Sequence, residues 1–195
     1  METKDENYKE HLHNKYLPGR DLYLKYVFFP KILKQFSKEL IVDLGFGTGG
    51  FLRFLKTQDR KSYGIDSNPF LVEDMKKQGF NVFLDDITKL NTINFPIINA
   101  VSDNVLEHLT EEQINDVFSV LKSKMAKGGV FVAIVPLEKG YQRDPTHLTY
   151  VNKDLIEAIC GKHQVKLKDY FFHPINIGGV GKWFYLNMQV FVLQF

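Results

Sequence analysis

The segment VDLGFGTGG, residues 42–50, contains the residue types that most directly indicate chemistry. A glycine turn between a strand and a helix lets the backbone approach a ligand closely, because no Cβ blocks the way. Gly45, Gly47 and Gly50 satisfy the spacing G-x-G-x-x-G, and Asp66 follows about 20 residues later, as a dinucleotide site requires. The glycine spacing alone leaves a nicotinamide site and an S-adenosylmethionine site both open.

Asp43, two residues before the first glycine, favours the methyl donor. A carboxylate at this place would repel a pyrophosphate group. The same carboxylate can accept hydrogen bonds from the ammonium group of a methionine moiety, directly or through water. The ligand that agrees best with the residues is therefore S-adenosylmethionine.

The elements that must position this turn alternate between strands and helices. We predict strands at 40–44, 62–66, 82–84, 97–102, 130–135, 165–172 and 183–195. We predict one or two helices between residues 16 and 36, interrupted at Pro18-Gly19 and near Pro30, and single helices after Gly50 and after Ser67-Asn68. Two further helices are predicted, from Glu111 to about Ala126 with a stop at Gly128-Gly129 and from Asn152 to Cys160 with a stop at Gly161. This order predicts a mainly parallel sheet covered on both faces, with ligands outside the carboxyl ends of the strands.

The motif D-L-G-x-G-x-G resembles the first motif of class I S-adenosylmethionine-dependent methyltransferases, and the resemblance extends over residues 40–135. The terminal strand pair resembles the hairpin that closes the sheet in that family. The resemblance implies a Rossmann-like, doubly wound α/β fold whose mainly parallel, seven-stranded sheet ends in a C-terminal antiparallel hairpin strand. It also implies a single domain over residues 1–195, with a helical lid at 1–36 and the core at 37–195.

The resemblance further implies which side chains bind the cofactor. Tyr63-Gly64-Ile65-Asp66 looks like the second motif, in which the acid binds both ribose hydroxyls. Leu84-Asp85-Asp86-Ile87 resembles the segment that contacts adenine; Asp86 is preferred over Asp85, with Ile87 packing on the ring. The stretch from Ser102 to Leu109 resembles the fourth motif of the small-molecule group. The predicted cofactor-binding residues are Asp43, Gly45, Gly47, Gly49, Asp66, Ser67, Asp86, Ile87, Asp103 and Asn104.

The segment Arg143-Asp144-Pro145-Thr146-His147 follows the fifth predicted strand, where an acceptor would approach. It resembles a "DPTH" segment of some small-molecule and sugar methyltransferases. Histidine suits a general base, so His147 is the candidate catalytic and substrate-binding residue, with bracing of the loop through Asp144 as the alternative. Arg143 is a candidate for binding an anionic substrate. Tyr16, Arg20 and Tyr23 are candidates for the lid, and the loop at 173–182 is expected to border the pocket.

Composition restricts the remaining possibilities. The formal net charge is +2, which gives no indication of a nucleic-acid partner. Cys160 is the one cysteine, so no disulfide forms within the chain, which fits a reducing compartment. No apolar run approaches the roughly 20 residues of a membrane helix, so we expect a cytoplasmic protein without membrane insertion. No cysteine or histidine cluster has zinc spacing, so no metal is expected.

These observations predict a methyltransferase that acts on an oxygen or nitrogen of a small molecule such as a sugar, lipid or metabolite. Two other classes stay open, a nicotinamide-dependent oxidoreductase and a catalytically silent module that binds a partner protein. The sequence does not determine the oligomeric state.

Overall fold

A computed structural model describes residues 19–177, 179 and 187–195. The strands are β1 Ile41–Leu44, β2 Ser62–Asp66, β3 Val82–Leu84, β4 Ile97–Asp103, β5 Met125–Pro136, β6 Lys166–His173 and β7 Met188–Gln194. The α-helices after β1 are α2 Gly50–Thr57, α3 Pro69–Lys77, α4 Glu111–Lys124, α5 Glu138–Gln142 and α6 Lys153–His163, with a 3₁₀ turn at Leu106–His108. The helical segment before β1, here α1, is α-helical at Arg20–Tyr23, π-helical at Leu24–Phe28 and α-helical at Phe29–Leu33. No helix within these ranges is both long and apolar enough to cross a membrane.

The strands form one seven-stranded sheet in the order β3-β2-β1-β4-β5-β7-β6. The pairs from β3 through β5 are parallel, and β7 runs antiparallel to both β5 and β6. Chain order reverses between β1 and β4, because β1 continues to β2 on one side while β4 lies on the other. Parallel sheets bind ligands at such a switch point, beyond the carboxyl ends of the strands. The predicted fold class, including the C-terminal antiparallel hairpin, is confirmed.

Both faces of the sheet are covered by helices. In β5, Val132 and Ile134 pack in a cluster with α1 and α2, whereas Phe131 and Ala133 pack in another with α4 and α6. Successive residues of a strand point to opposite faces, so this alternation defines two apolar layers. A strand buried on both faces has no polar side, which explains why β1 appears in the sequence as a short apolar run.

The predicted interruption of the N-terminal helical segment at Pro30 is wrong. The helical segment continues through Pro30, which is the second residue of its last α-helical part, and that part begins at Phe29, directly after the π-helical turn. Proline is tolerated in the first turn of a helix, where its missing N–H has no intrahelical partner to lose.

Two predicted helix ends are also wrong. Helix α4 stops at Lys124 because Met125 is already extended and pairs with Ile97 of β4, and Gly128-Gly129 lies inside β5, where the register to β4 shifts. Helix α6 continues through Gly161, which is exposed, and ends at Gln164 in the left-handed conformation. Strand pairing and capping, which are not visible in local composition, decide both ends.

Candidate active site

The glycine turn joins β1 to α2 and lies against the segment that follows β4. Gly45 has a φ of +76°, and its N–H donates to the carbonyl oxygen of Ile65 over 2.7 Å. A Cβ at Gly45 would lie 2.6 Å from Cγ2 of Val105, closer than side chains approach. Both the backbone conformation and the space therefore require glycine at this position.

Asp66 connects the end of β2 to the glycine turn. Its Oδ2 accepts a hydrogen bond from the N–H of Gly47 over 2.9 Å, and its Oδ1 accepts one from the N–H of Asn68 over 2.8 Å. Burial raises the pKa of this carboxyl to about 6, although these hydrogen bonds lower it. Asn68 itself caps α3 by accepting from the N–H groups of Phe70 and Leu71.

Two further carboxylates face the same switch point. Asp43 of β1 is only 2% exposed, and burial raises its pKa well above the ordinary value. The negative charges of Asp103 and Asp66 raise that pKa further. Asp103 ends β4, so carboxylates from three adjacent strands, β2, β1 and β4, converge here. A ligand that brings positive charge would be stabilised at this place.

Asn104 follows directly and has a φ of +55°, which is uncommon for a residue with a side chain. Its backbone N–H donates to the carbonyl oxygen of Ile134 over 2.9 Å, and its Nδ2 donates to Oδ1 of Asp103 over 2.7 Å. These bonds hold the strained backbone in place and orient the Asp103 carboxylate. Strained backbone of this kind is concentrated at functional sites.

The two acids after β3 both close turns. Asp85 uses both oxygens within its own loop, because Oδ2 accepts from Thr92 and Oδ1 accepts from the N–H of Asp86. Asp86 accepts from the N–H and hydroxyl of Thr88 through Oδ1. Ile87 is buried in the core.

The loop after β5 is held against the 3₁₀ turn after β4 by backbone hydrogen bonds. The N–H groups of Leu148 and Thr149 donate to the carbonyl oxygen of Glu107 over 2.7 and 3.1 Å. This brings His147 beside Glu107, with 3.9 Å between Nε2 and Oε1. Nε2 of the same histidine lies 3.7 Å from Oδ2 of Asp144. The side chains of His147 and Glu107 are 7% and 1% exposed, so the group is nearly closed to solvent.

Both histidines of this region are oriented by backbone carbonyls. Nδ1 of His147 lies 2.7 Å from the carbonyl oxygen of Tyr141, and Nδ1 of His108 lies 3.2 Å from that of Thr146. The two imidazole rings contact each other edge to face, with centroids 4.8 Å apart. We call Glu107, His108, Asp144 and His147 the carboxylate–histidine cluster. Arg143 lies beside it and is exposed.

The predicted lid is only partly described. Tyr23 lies in α1, and its hydroxyl is hydrogen-bonded to Nε2 of His173 at the end of β6. Burial lowers the pKa of His173 to about 4, and the charge of Lys31 lowers it further, so this imidazole is neutral near pH 7. Tyr16, the side chain of Arg20, residues 178 and 180–182 of the predicted pocket-bordering loop, and residues 183–186 of the last predicted strand lie outside the described residues.

Sequence reasoning missed the carboxylate–histidine cluster as a unit. It singled out His147 and Asp144, but gave Glu107 and His108 no role beyond their place in the stretch that resembles the fourth motif. The pair Glu107-His108 precedes His147 by about 40 residues, and no spacing rule joins two loops that follow different strands. The signal was present only as two separate motifs at strand ends.

The profile of the FtsJ-like methyltransferase family matches residues 25–143, more than half of the chain. This segment includes the glycine turn, the three carboxylates and the 3₁₀ turn. The chain belongs to the FtsJ-like methyltransferase family. Membership decides the choice that the glycine spacing left open, because it selects the methyl donor over a nicotinamide cofactor. No curated protein matches this FtsJ-like methyltransferase in sequence.

Solved structures of methyltransferases share the fold of this FtsJ-like methyltransferase. An S-adenosylmethionine-dependent methyltransferase from Archaeoglobus fulgidus has a TM-score of 0.77 at 18% identity, over 98% of this chain and 100% of the other. One from Clostridium acetobutylicum has a TM-score of 0.71 at 15% identity, over 96% and 98% of the two chains. The glycopeptide N-methyltransferase MtfA in complex with S-adenosylmethionine has a TM-score of 0.67 at 8% identity, over 85% and 84%.

The cofactor of this FtsJ-like methyltransferase is S-adenosylmethionine, and the residues present fit it. The sulfonium and ammonium groups of that molecule are cationic, and the converging carboxyl groups of Asp43, Asp66 and Asp103 would supply the compensating negative charge. The absence of a side chain at Gly45 lets Val105, in the segment after β4, pack against the glycine turn. When bound, the cofactor supplies an activated methyl group; the chain itself binds, orients and excludes water.

Proposed function

We propose that this methyltransferase transfers the methyl group to an oxygen or nitrogen of a small molecule, such as a sugar, lipid or metabolite. One observation carries the proposal. His147 lies among carboxylates at the same edge of the sheet as the cofactor-binding carboxylates, beyond the neighbouring strand β5. An oxygen or nitrogen acceptor loses a proton when it is methylated, and histidine is the side chain best suited to accept it.

The hydrogen bonds of His147 support this role. If Nδ1–H donates to the carbonyl oxygen of Tyr141, the lone pair of the ring is on Nε2. An imidazolium formed by proton transfer to Nε2 would be stabilised by Asp144 and Glu107, whose carboxylate oxygens lie 3.7 and 3.9 Å from that atom. Arg143, exposed beside the cluster, is proposed to bind an anionic group of the acceptor.

The proposed cofactor contacts follow from the same edge of the sheet. Asp66 would accept a hydrogen bond from a ribose hydroxyl, because a carboxylate has about four acceptor positions and the backbone N–H groups of Gly47, Ser67 and Asn68 use three of them. Asp43, Asp103 and Asn104 would lie toward the methionine portion. The glycines of the turn, Ser67, Asp86 and Ile87 complete the proposed cofactor site.

Charge favours a small acceptor over a nucleic acid. The net charge of the chain is only +2, and the converging carboxylates at the switch point are negative. A polyphosphate backbone requires a basic surface, because its affinity comes largely from neutralised phosphates. The experiment must distinguish a small-molecule acceptor from an RNA acceptor.

The test uses S-adenosylmethionine carrying a labelled methyl group, offered with panels of hydroxylated and aminated small molecules and, separately, with structured RNA. We expect label in a small molecule only. We also expect His147→Gln to lower the turnover by about 100-fold or more with little change in cofactor affinity, as for loss of a general base. His163→Gln, a substitution on the distant helix α6, is the matched control. Transfer to RNA alone, or full turnover by His147→Gln, would overturn the proposal.

A further inference from the structure

The carboxylate–histidine cluster contains the donor atoms that divalent transition metals prefer. Glu107, His108 and His147 each place one nitrogen or carboxylate oxygen so that all three atoms lie within 4.8 Å of one another. Metal ligands at bond lengths of about 2.1 Å lie roughly 3.0–3.5 Å apart. The side chains therefore need to move together by no more than about 1.5 Å to reach coordination distance.

The orientation of the histidines is that of metal ligands. A ligating histidine usually donates its other ring N–H to a backbone carbonyl or a carboxylate, which fixes the tautomer. His147 has the Tyr141 carbonyl oxygen 2.7 Å from Nδ1, and His108 has the Thr146 carbonyl oxygen 3.2 Å from Nδ1. With the N–H groups directed at those carbonyls, the lone pair of each ring is on Nε2. These contacts of Nδ1 with the Tyr141 and Thr146 carbonyl oxygens are an observation separate from the distances between the ligand atoms.

Asp144 lies beside these three ligands and is itself held in place. Its Oδ1 accepts hydrogen bonds from the hydroxyl and the N–H of Thr146, over 2.6 and 3.0 Å. Its Oδ2 lies 3.7 Å from Nε2 of His147. The side chains of Glu107 and Asp144 are 1% and 5% exposed.

We propose that Glu107, His108 and His147 bind a divalent first-row transition metal ion such as Zn²⁺. Two histidines and a carboxylate are a recurrent set for such ions. The ion would use the Nε2 lone pair that takes the acceptor proton in the proposed function, so ion binding would inhibit methyl transfer. This inhibitory consequence rests on the proposed function, whereas the ion site itself does not.

The test uses Co²⁺ as a spectroscopic probe of the full chain, purified without a histidine tag. The background variant is His11→Gln/His13→Gln, because these two histidines are close in sequence and can bind Co²⁺ without the cluster. Visible ligand-field absorption is recorded during the titration, and Zn²⁺ affinity is measured by calorimetry. His108→Gln, His147→Gln and Glu107→Gln are compared in that background, with His163→Gln as the matched control and circular dichroism as the check on folding.

We expect one Co²⁺ per chain with ligand-field bands, which the His163→Gln control keeps. We also expect Zn²⁺ affinity to fall at least about tenfold in each folded cluster variant. His108→Gln serves where a variant of the more buried residues fails to fold, since His108 is only half-buried. Absence of bands in the folded background protein, or unchanged affinity in the cluster variants, would overturn the proposal. The spectrum is read without an acceptor, so failure of the proposed methyl-transfer chemistry would leave it unchanged.

Discussion

Oδ2 of Asp66 accepts a hydrogen bond from the backbone N–H of Gly47 over 2.9 Å, so the carboxylate at the end of β2 and the glycine turn after β1 hold each other in place. One side chain therefore shapes the turn and also faces the proposed ribose position. This double role distinguishes two kinds of substitution at Asp66.

Asp66→Ala is expected to weaken S-adenosylmethionine binding by about 10- to 100-fold, the effect of losing a charge-assisted hydrogen bond of about 1.5–3 kcal/mol. Asp66→Asn keeps an oxygen that can accept from Gly47, so its loss of affinity should be smaller. Calorimetric titration with the cofactor and with its demethylated product measures both. Glu73→Gln, an exposed carboxylate on α3, is the control. Equal affinity in Asp66→Ala and the parent protein would contradict this role of Asp66.

Cofactor affinity should fall as the pH is lowered through about 6, the raised pKa of Asp66. Below that pH the carboxyl is increasingly protonated, and binding that requires the carboxylate must release the proton. The effect on stability has the opposite sign. The unfolded chain holds this proton only below about pH 4, so this group stabilises the folded protein as the pH falls from about 7 to 4.

Calorimetry between about pH 5 and 8 and denaturant unfolding over the same range measure these two trends. Both should be weaker in Asp66→Asn. A pH profile of affinity that is identical in the parent protein and Asp66→Asn would exclude Asp66 as the titrating group.

Gly45→Ala is expected to destabilise the protein more than Gly79→Ala. Both glycines have a φ of +76°, so both substitutions cost about 1–2 kcal/mol for the left-handed backbone. Only Gly45 has a neighbour in the way, because its Cβ would lie 2.6 Å from Val105 while nothing lies within 4 Å of a Cβ at Gly79. Denaturant unfolding gives the difference, and Val105→Ala should recover much of it in Gly45→Ala. Equal destabilisation by the two glycine substitutions would show that the turn can shift away from Val105.

Tyr23→Phe is expected to lower the free energy of unfolding by about 0.5–1.5 kcal/mol, the net value of one hydrogen bond. The lost bond joins α1 to His173 at the end of β6, and the neutral imidazole can accept it near pH 7. Tyr26→Phe is the matched control, because Tyr26 lies on the same helical segment and is 66% exposed. The measurement is urea unfolding near pH 7. Equal stability of the two variants would mean that the Tyr23 hydroxyl contributes nothing to the docking of α1.

The sequence by itself determined the sheet and the glycine turn with the carboxylate of Asp66 beside it. Strands buried on both faces must be apolar, and a turn that approaches a ligand must lack side chains, so β1, Gly45 and Asp66 are recognisable from local residue types. The helix cap at Asn68 is local in the same way, since it depends on two residues that follow directly.

Only the tertiary structure decided the acceptor side. Glu107 and His147 are separated in sequence, and they meet because the backbone N–H groups of Leu148 and Thr149 bond the carbonyl oxygen of Glu107. Such loop-to-loop bonds depend on where two strands end in the sheet, which residue spacing does not encode. The end of α4 was decided in the same way, because pairing of Met125 with β4 overrides the local stop at Gly128-Gly129. Local chemistry fixes single elements, whereas contacts between distant segments are set by the packing of the whole sheet.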